Sequence, residues 1–133
     1  MKQLELFERP RLMKKAISTK DKETLEEIAA VAVKEEFLCG ENWHPDRRNP
    51  EARMKEVKSY LDNKDMGIIS YTIEYRQQVV GCAFIWDGRT CVAGGEYYNT
   101  SAELAFIHPD YKQYKADIMC DIEEEIEEIN KDW

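Results

Sequence analysis

The sequence is short of the residues that build phosphate cradles, metal centres and nucleic-acid surfaces. Only six glycines are spread over 133 residues, and none follows Gly95. The stretch "AELAFIHPDYKQYKADIMCD" (102–121), which reads as a buried strand turning at a proline into a helix, therefore makes that turn without one. A helix start offers unpaired N–H groups to an anion, but close approach of backbone to phosphate needs residues without a Cβ. The four cysteines, Cys39, Cys82, Cys91 and Cys120, form no C-x-x-C pair and no zinc-like spacing; free thiols in a reducing compartment are expected. Cys39, His44 and Asp46 share one loop, but their spacing fits no established metal site, and Trp43 and Pro45 beside them point to packing. No metal is expected.

Long apolar runs are also missing. None approaches the roughly 18 residues of a membrane span, and the start "MKQLELFERP" lacks the apolar stretch of a secretory signal. A cytoplasmic protein that does not enter membranes is expected. Positive charge is in deficit, 19 Lys and Arg against 27 Asp and Glu for a net charge of −8. That balance argues against direct tracking of nucleic-acid phosphates. It leaves solubility, or mimicry of DNA, as readings of the acidity.

What is present suffices for one domain with a real core: 43% hydrophobic and 35% charged residues. Leu12 to Ile17 reads as a first strand. Ser18 or Thr19 then opens a helix with Leu25, Ile28, Ala29, Ala32, Val33 and Phe37 on one face. After the polar loop "CGENWHPDRRNPE", Asn49 and Pro50 read as N-cap and first helical position. The second helix turns Met54, Val57 and Leu61 inward and ends near Asn63. "GIISYTIEYR" alternates through Ile69, Tyr71, Ile73 and Tyr75 as a strand, and Gln77-Gln78 turns it into the denser apolar run "VVGCAFIW", as expected at a sheet centre. Asp87-Gly88 reads as a hairpin turn into a strand over Cys91 to Tyr98, weakened by Gly94-Gly95. "SAELAFI" is the next strand, with Leu104 and Phe106 on one face and Glu103, Ala105 and Ile107 on the other. Ile118, Ile122, Ile126 and Ile129 form the inner stripe of a last helix, whose Glu123, Glu124, Glu127 and Glu128 read as a solvated outer face. The order is β-α-α-β-β-β-α, an α/β (α+β) layer structure with an antiparallel meander packed against helices.

That order resembles the first two-thirds of the GNAT fold, the superfamily of acyl-CoA-dependent N-acyltransferases. "GIISYTIEYRQQVVGCAFIW" is similar to the family's second and third strands, and "AELAFIHPDY" to the fourth strand and its exit. The resemblance runs from Arg11 to Ile129 and divides the chain into a flexible N-terminal peptide, 1–10, and a GNAT-like domain, 11–133. It implies that the fourth strand, here Phe106 and Ile107, pairs with pantetheine, and that the following loop holds the pyrophosphate. The family's loop is a glycine-rich Q/R-x-x-G-x-G/A. This sequence has Lys112-Gln113-Tyr114-Lys115-Ala116-Asp117 instead, so Lys112 and Lys115 offer charge without the cradle and Asp117 would repel the anion. No segment after the last helix reads as the family's fifth strand. Family fold is therefore expected more than family chemistry.

Two site readings remain. In the first, Glu103 matches the place of the family's general base, a carboxylate among apolar neighbours suited to deprotonating an amine. Tyr111, or else Tyr97 or Tyr98, would be the acid, and acetyl-CoA the cofactor. In the second, "QLELF" closely resembles the Q-L-S/D-L-F peptide by which bacterial replication and repair proteins dock on the DNA sliding clamp. It implies a hydrogen bond from Gln3, with Leu4, Leu6 and Phe7 as apolar anchors on a tail. Packing of the same leucines and phenylalanine under the first strand is the alternative. The expected function is a GNAT-derived interaction module without acyl-CoA chemistry, docking on a clamp or other replication machinery as an effector or inhibitor; a phage or mobile-element origin would suit it. The alternative is a small atypical N-acetyltransferase with Glu103 as base.

Overall fold

Residues 80–85 are buried without a break, and a strand with no polar side has to be covered on both faces. In the computed structural model, which describes residues 8–35, 38, 50–62, 67–88, 92–93, 96–97 and 100–131, helices supply both covers. The elements run β1 (Arg11–Lys14), α1 (Thr19–Glu35), α2 (Pro50–Asp62), β2 (Ile68–Tyr75), β3 (Gln78–Trp86), β4 (Val92–Ala93), β5 (Glu96–Tyr97), β6 (Ser101–Ile107), a 3-10 turn (Pro109–Tyr114) and α3 (Lys115–Asn130). The fold is mixed α/β. One four-stranded antiparallel sheet, in the order β1-β2-β3-β6, is flanked by three α-helices.

On one face, Leu25, Ile28, Ala29 and Ala32 of α1 and Val57 and Leu61 of α2 pack on Cys82, Phe84, Leu104 and Phe106. On the other, Ile118, Ile122 and Ile129 of α3 pack on Tyr71, Ile73, Ala83, Ile85, Ala105 and Ile107. Each buried isoleucine contributes about 1.5–3 kcal/mol. Three of them suffice to hold down a helix whose Glu123, Glu124, Glu127 and Glu128 face outward, exposed. Among the described residues, no helix is long and apolar enough to cross a membrane.

The structure moves several expected boundaries. Strand β1 ends at Lys14, earlier than Ile17. The Lys15 amide still donates to the Ser70 carbonyl, and the chain then peels away so that Ser18 can cap α1. The Ser18 Oγ accepts from the Asp21 amide at 3.1 Å, one of the orphan donors of a helix start. The β2–β3 turn falls one residue early: Tyr75 stands opposite Gln78, and Arg76 and Gln77 take the turn with φ of 52° and 67°. Both angles belong to a primed hairpin turn, which matches the twist of the strands.

Asp87-Gly88 is not a hairpin turn into a neighbouring strand. Strand β3 pairs with β6 instead, and within the expected strand at 91–98 the described residues form β4 and β5, which pair with each other. Asp87 is buried, its amide donating to the Gly67 carbonyl at 2.7 Å, and the Gly88 amide donates to the Thr100 Oγ at 3.3 Å. These bonds tie the two ends of the excursion to the sheet. Phe37, Asn49, Asn63 and residues 94–95 lie outside the described residues.

Two bulges break the ladder. Between β2 and β3 the partner steps from Gly81 to Val79, leaving Val80 as the extra residue. Between β3 and β6 it steps from Leu104 to Ala102, leaving Glu103 as the extra residue. Each extra residue resets which face its strand presents.

Candidate functional site

Glu103, Phe106, Ile107, Tyr111, Lys112 and Lys115 lie on β6, the 3-10 turn after it and the start of α3. His108 leaves the sheet by donating its amide to the Val80 carbonyl at 2.8 Å. Its φ of −57° and ψ of 135° are extended, and Pro109 then starts the turn with a fixed φ and no N–H to satisfy. The His108 Nδ1 accepts from the Asp110 amide at 3.0 Å and its carbonyl from the Tyr111 amide at 2.9 Å. The Lys115 amide, opening α3, donates to the Lys112 carbonyl. Three of the amides that a pyrophosphate would use are thus engaged within the protein.

The outer edge of β6 is engaged as well. The Leu38 amide donates to the Ala105 carbonyl at 2.9 Å, and the Leu38 side chain packs with the α3-side core. Phe106 is fully buried against α1 and α2, and Ile107 is buried on the α3 side. Lys112 is exposed, and Lys115 is half-buried.

Glu103 is half-buried, and its Oε1 accepts a hydrogen bond from the Ser101 Oγ at 2.9 Å. As the bulged residue it is aimed independently of the alternation around it. Tyr111 lies beyond the far end of the strand, four residues from Glu103 to Ile107 and then a turn. That is about 13 Å along the strand alone, so β6 does not bring the two together.

Tyr111 instead joins a cluster that the sequence reading did not assemble. Its ring meets Tyr75 edge-on at 5.6 Å between centres, and the Tyr114 ring, tilted, lies 6.3 Å from that of Tyr75. The Arg76 guanidinium lies 5.1 Å from the Tyr75 ring centre. Arg76 also donates to Glu8, and this bond holds the Glu8 carboxyl below its usual range. One residue on, Arg9 forks onto Asp121 of α3 at 2.8 and 2.9 Å, and Pro10 is fully buried. The visible signal was the alternation that set Tyr75 on the α3 face; its neighbours there needed the fold.

Elsewhere, a groove of about 610 Å³ opens where β1 ends beside β2, lined by Lys14, Lys15, Ile17, Leu61, Ile68 and Ile69. Lys15 is committed to Glu74 at 2.6 Å, and Lys22 pairs with Asp62 on its rim. Among the described residues, no expected site residue lines it. On the opposite face Tyr71 donates to Glu125 at 3.0 Å, and burial, reinforced by that bond, raises the phenol well above its ordinary range.

Gln3, Leu4, Leu6 and Phe7 lie outside the described residues, as do Cys39, Trp43, His44, Pro45, Asp46, Cys91 and Tyr98. Tyr97 is placed in β5, its side chain undescribed. Among the described residues no three His, Cys, Asp or Glu side chains converge as metal ligands. No family model, no curated protein and no solved structure matches the chain.

Proposed function

We propose that this protein is an interaction module on a GNAT-like scaffold, without standard acyl-CoA chemistry. It docks on a bacterial DNA sliding clamp, or related replication and repair machinery, through Gln3, Leu4, Leu6 and Phe7. In this reading it acts as an effector or inhibitor. The observation that carries the first half is the internal use of the junction: His108 accepts from the Asp110 and Tyr111 amides, where an acyl-CoA pyrophosphate would need donors. The Leu38 amide on Ala105 likewise takes a carbonyl on the strand that would pair with pantetheine. The second half rests on the resemblance of "QLELF" to the clamp-docking peptide, and on an acidic body ill-suited to binding DNA directly.

A second reading, an atypical N-acetyltransferase with Glu103 as base, is favoured by one observation. The bulge on β6 falls at Glu103, and bulges re-aim side chains beside active sites.

Calorimetric titration with acetyl-CoA separates the two. No binding is expected; saturable binding, with turnover abolished by Glu103→Gln, would replace the first reading with the second. For the clamp, a surface-binding assay should show wild-type binding and a loss of several kcal/mol, about 3 or more, in Leu6→Ala/Phe7→Ala. Equal binding by both proteins would sink the docking mode.

A further inference from the structure

We infer that the groove beside the end of β1 takes an extended, acidic peptide segment, which pairs through its main chain with the open edge of β2 at Ile68. This groove lies at the end of the sheet opposite His108: Ile68 stands across from Trp86 and Trp86 from Ser101, whereas His108 follows the Ile107–Gly81 pair. It shares no residue with the clamp-docking peptide or with Glu103.

The backbone carries the first part. In an antiparallel ladder, successive residues of a strand turn their N–H and C=O to opposite neighbours. The Gly67 carbonyl accepts from the Asp87 amide on the β3 side, and the Ser70 carbonyl accepts from the Lys15 amide on the β1 side. Ile68, two residues before Ser70, therefore faces the β1 side as well. The β1–β2 register runs only as far as Lys14 opposite Tyr71, and the Lys15 amide makes the last bond before the chain leaves for α1. Among the described residues, nothing bonds to the Ile68 N–H or carbonyl on that side. A donor and an acceptor set together on a sheet edge are a template for another strand.

The space left by the departing chain is the groove of about 610 Å³, within the roughly 300–1,000 Å³ of ligand sites. Ile17, Leu61 and Ile68 on its wall belong to the α1/α2-side core, and Ile69 belongs to the α3-side core. The groove thus runs along the sheet edge rather than over one face. A residue paired with Ile68 sets its side chain on the α1/α2 side, against Ile17 and Leu61, where a β-branched apolar group fits the pleat.

Charge sets the sign of the occupant. Of the two rim lysines, Lys15 is held by Glu74 at 2.6 Å, and the groove's own carboxylate, Asp62, is paired with Lys22. Lys14 is exposed, and among the described residues no carboxylate pairs with it. The unbalanced charge at this groove is positive in a chain of net charge −8, so its complement is a carboxylate.

The test is titration of the isotope-labelled full chain with an acetylated, amidated hexapeptide of alternating valine and glutamate, read by amide chemical shifts. Saturable binding is expected, with the Ile68 amide moving downfield as its N–H gains a carbonyl. N-methylation of the three valine amides should abolish it, because the probe then has no donor for the Ile68 carbonyl. Lys14→Glu should weaken binding about 5- to 10-fold, an effect that shrinks at high salt. Ile68→Pro deletes the edge N–H without deleting a bond to β3, and should lower affinity at least as much. If that variant does not fold, the N-methylated probe and Lys14→Glu decide the matter. No saturable binding by wild type, or equal binding of the N-methylated probe, would overturn strand pairing. Wild-type affinity in Lys14→Glu would overturn the acidic class of occupant. Octanoate serves as the control; if it displaces the probe and itself binds with the Ile68 amide unmoved, the groove is a site for small amphipathic acids and the inference falls.

Discussion

The Leu38 amide donates to the Ala105 carbonyl at 2.9 Å, so the segment after α1 covers an edge position of β6. Edge strands left open invite pairing with other chains, and this contact blocks one such position. It also occupies backbone that the GNAT resemblance would reserve for a cofactor. Ala105 is fully buried, and a buried carbonyl left without a donor costs about 1–3 kcal/mol. Leu38→Pro removes the donor and should destabilise the protein by that amount in urea titration. A loss below 0.5 kcal/mol would mean the contact is dispensable.

Gly81 sits at the first bulge, opposite Ile107 of β6. A Cβ there would overlap the Phe106 carbonyl oxygen and come within 2.9 Å of the Ile107 Cα, both backbone atoms that cannot rotate aside. Gly81→Ala should cost about 3 kcal/mol or more, by forcing the edge strand β6 away from the central strand β3. Thermal and chemical denaturation measure it, and a near-wild-type midpoint would contradict the strand spacing.

Gln77 adopts a left-handed φ of 67°. Left-handed backbone costs a residue with a Cβ about 1–2 kcal/mol, and glycine recovers part of that less its own chain entropy. Gln77→Gly should raise stability by about 0.5–1 kcal/mol. A lower melting temperature would argue against the primed turn.

Glu74 accepts from Lys15 at 2.6 Å and from the Thr72 hydroxyl at 2.6 Å, and these bonds, the lysine's first, hold its carboxyl below the usual range. A carboxyl depressed by folding stabilises the native state above its unfolded pKa, about 4.3, and loses that contribution as pH falls through the lower folded value. The pair is partly exposed, so the contribution at neutral pH is about 1 kcal/mol. Wild type should be more stable than Glu74→Gln by that margin at pH 7, and the gap should close on acidification below pH 4. A gap that persists in acid would assign the effect to packing.

Periodicity carried the reading of the elements because burial here is simple. Ile69, Tyr71, Ile73 and Tyr75 do share the α3 face of β2, and Ile118, Ile122 and Ile129 do form the buried stripe of α3. Where pairing partners decide, local signals misled. Asp87-Gly88 has the composition of a hairpin turn, yet β6 outcompetes the nearer segment, because Leu104 to Ile107 fill both cores and a glycine-interrupted strand cannot. The Arg76-Gln77 turn carries none of the glycine or asparagine that marks such turns, so its position was legible only to within a residue.

The sequence by itself determined the mixed α/β composition, the two-sided burial of β3, the amphipathic faces of the helices and the absence of a glycine cradle after β6. These depend on side-chain period and on residue type, which are local. Only the tertiary structure decided that Glu103 is the extra residue of a bulge, that Leu38 caps Ala105, and that Tyr75, Arg76, Tyr111 and Tyr114 meet beside Glu8. Each of these joins segments distant in sequence or depends on strand register, and register is set by how two whole faces pack at once.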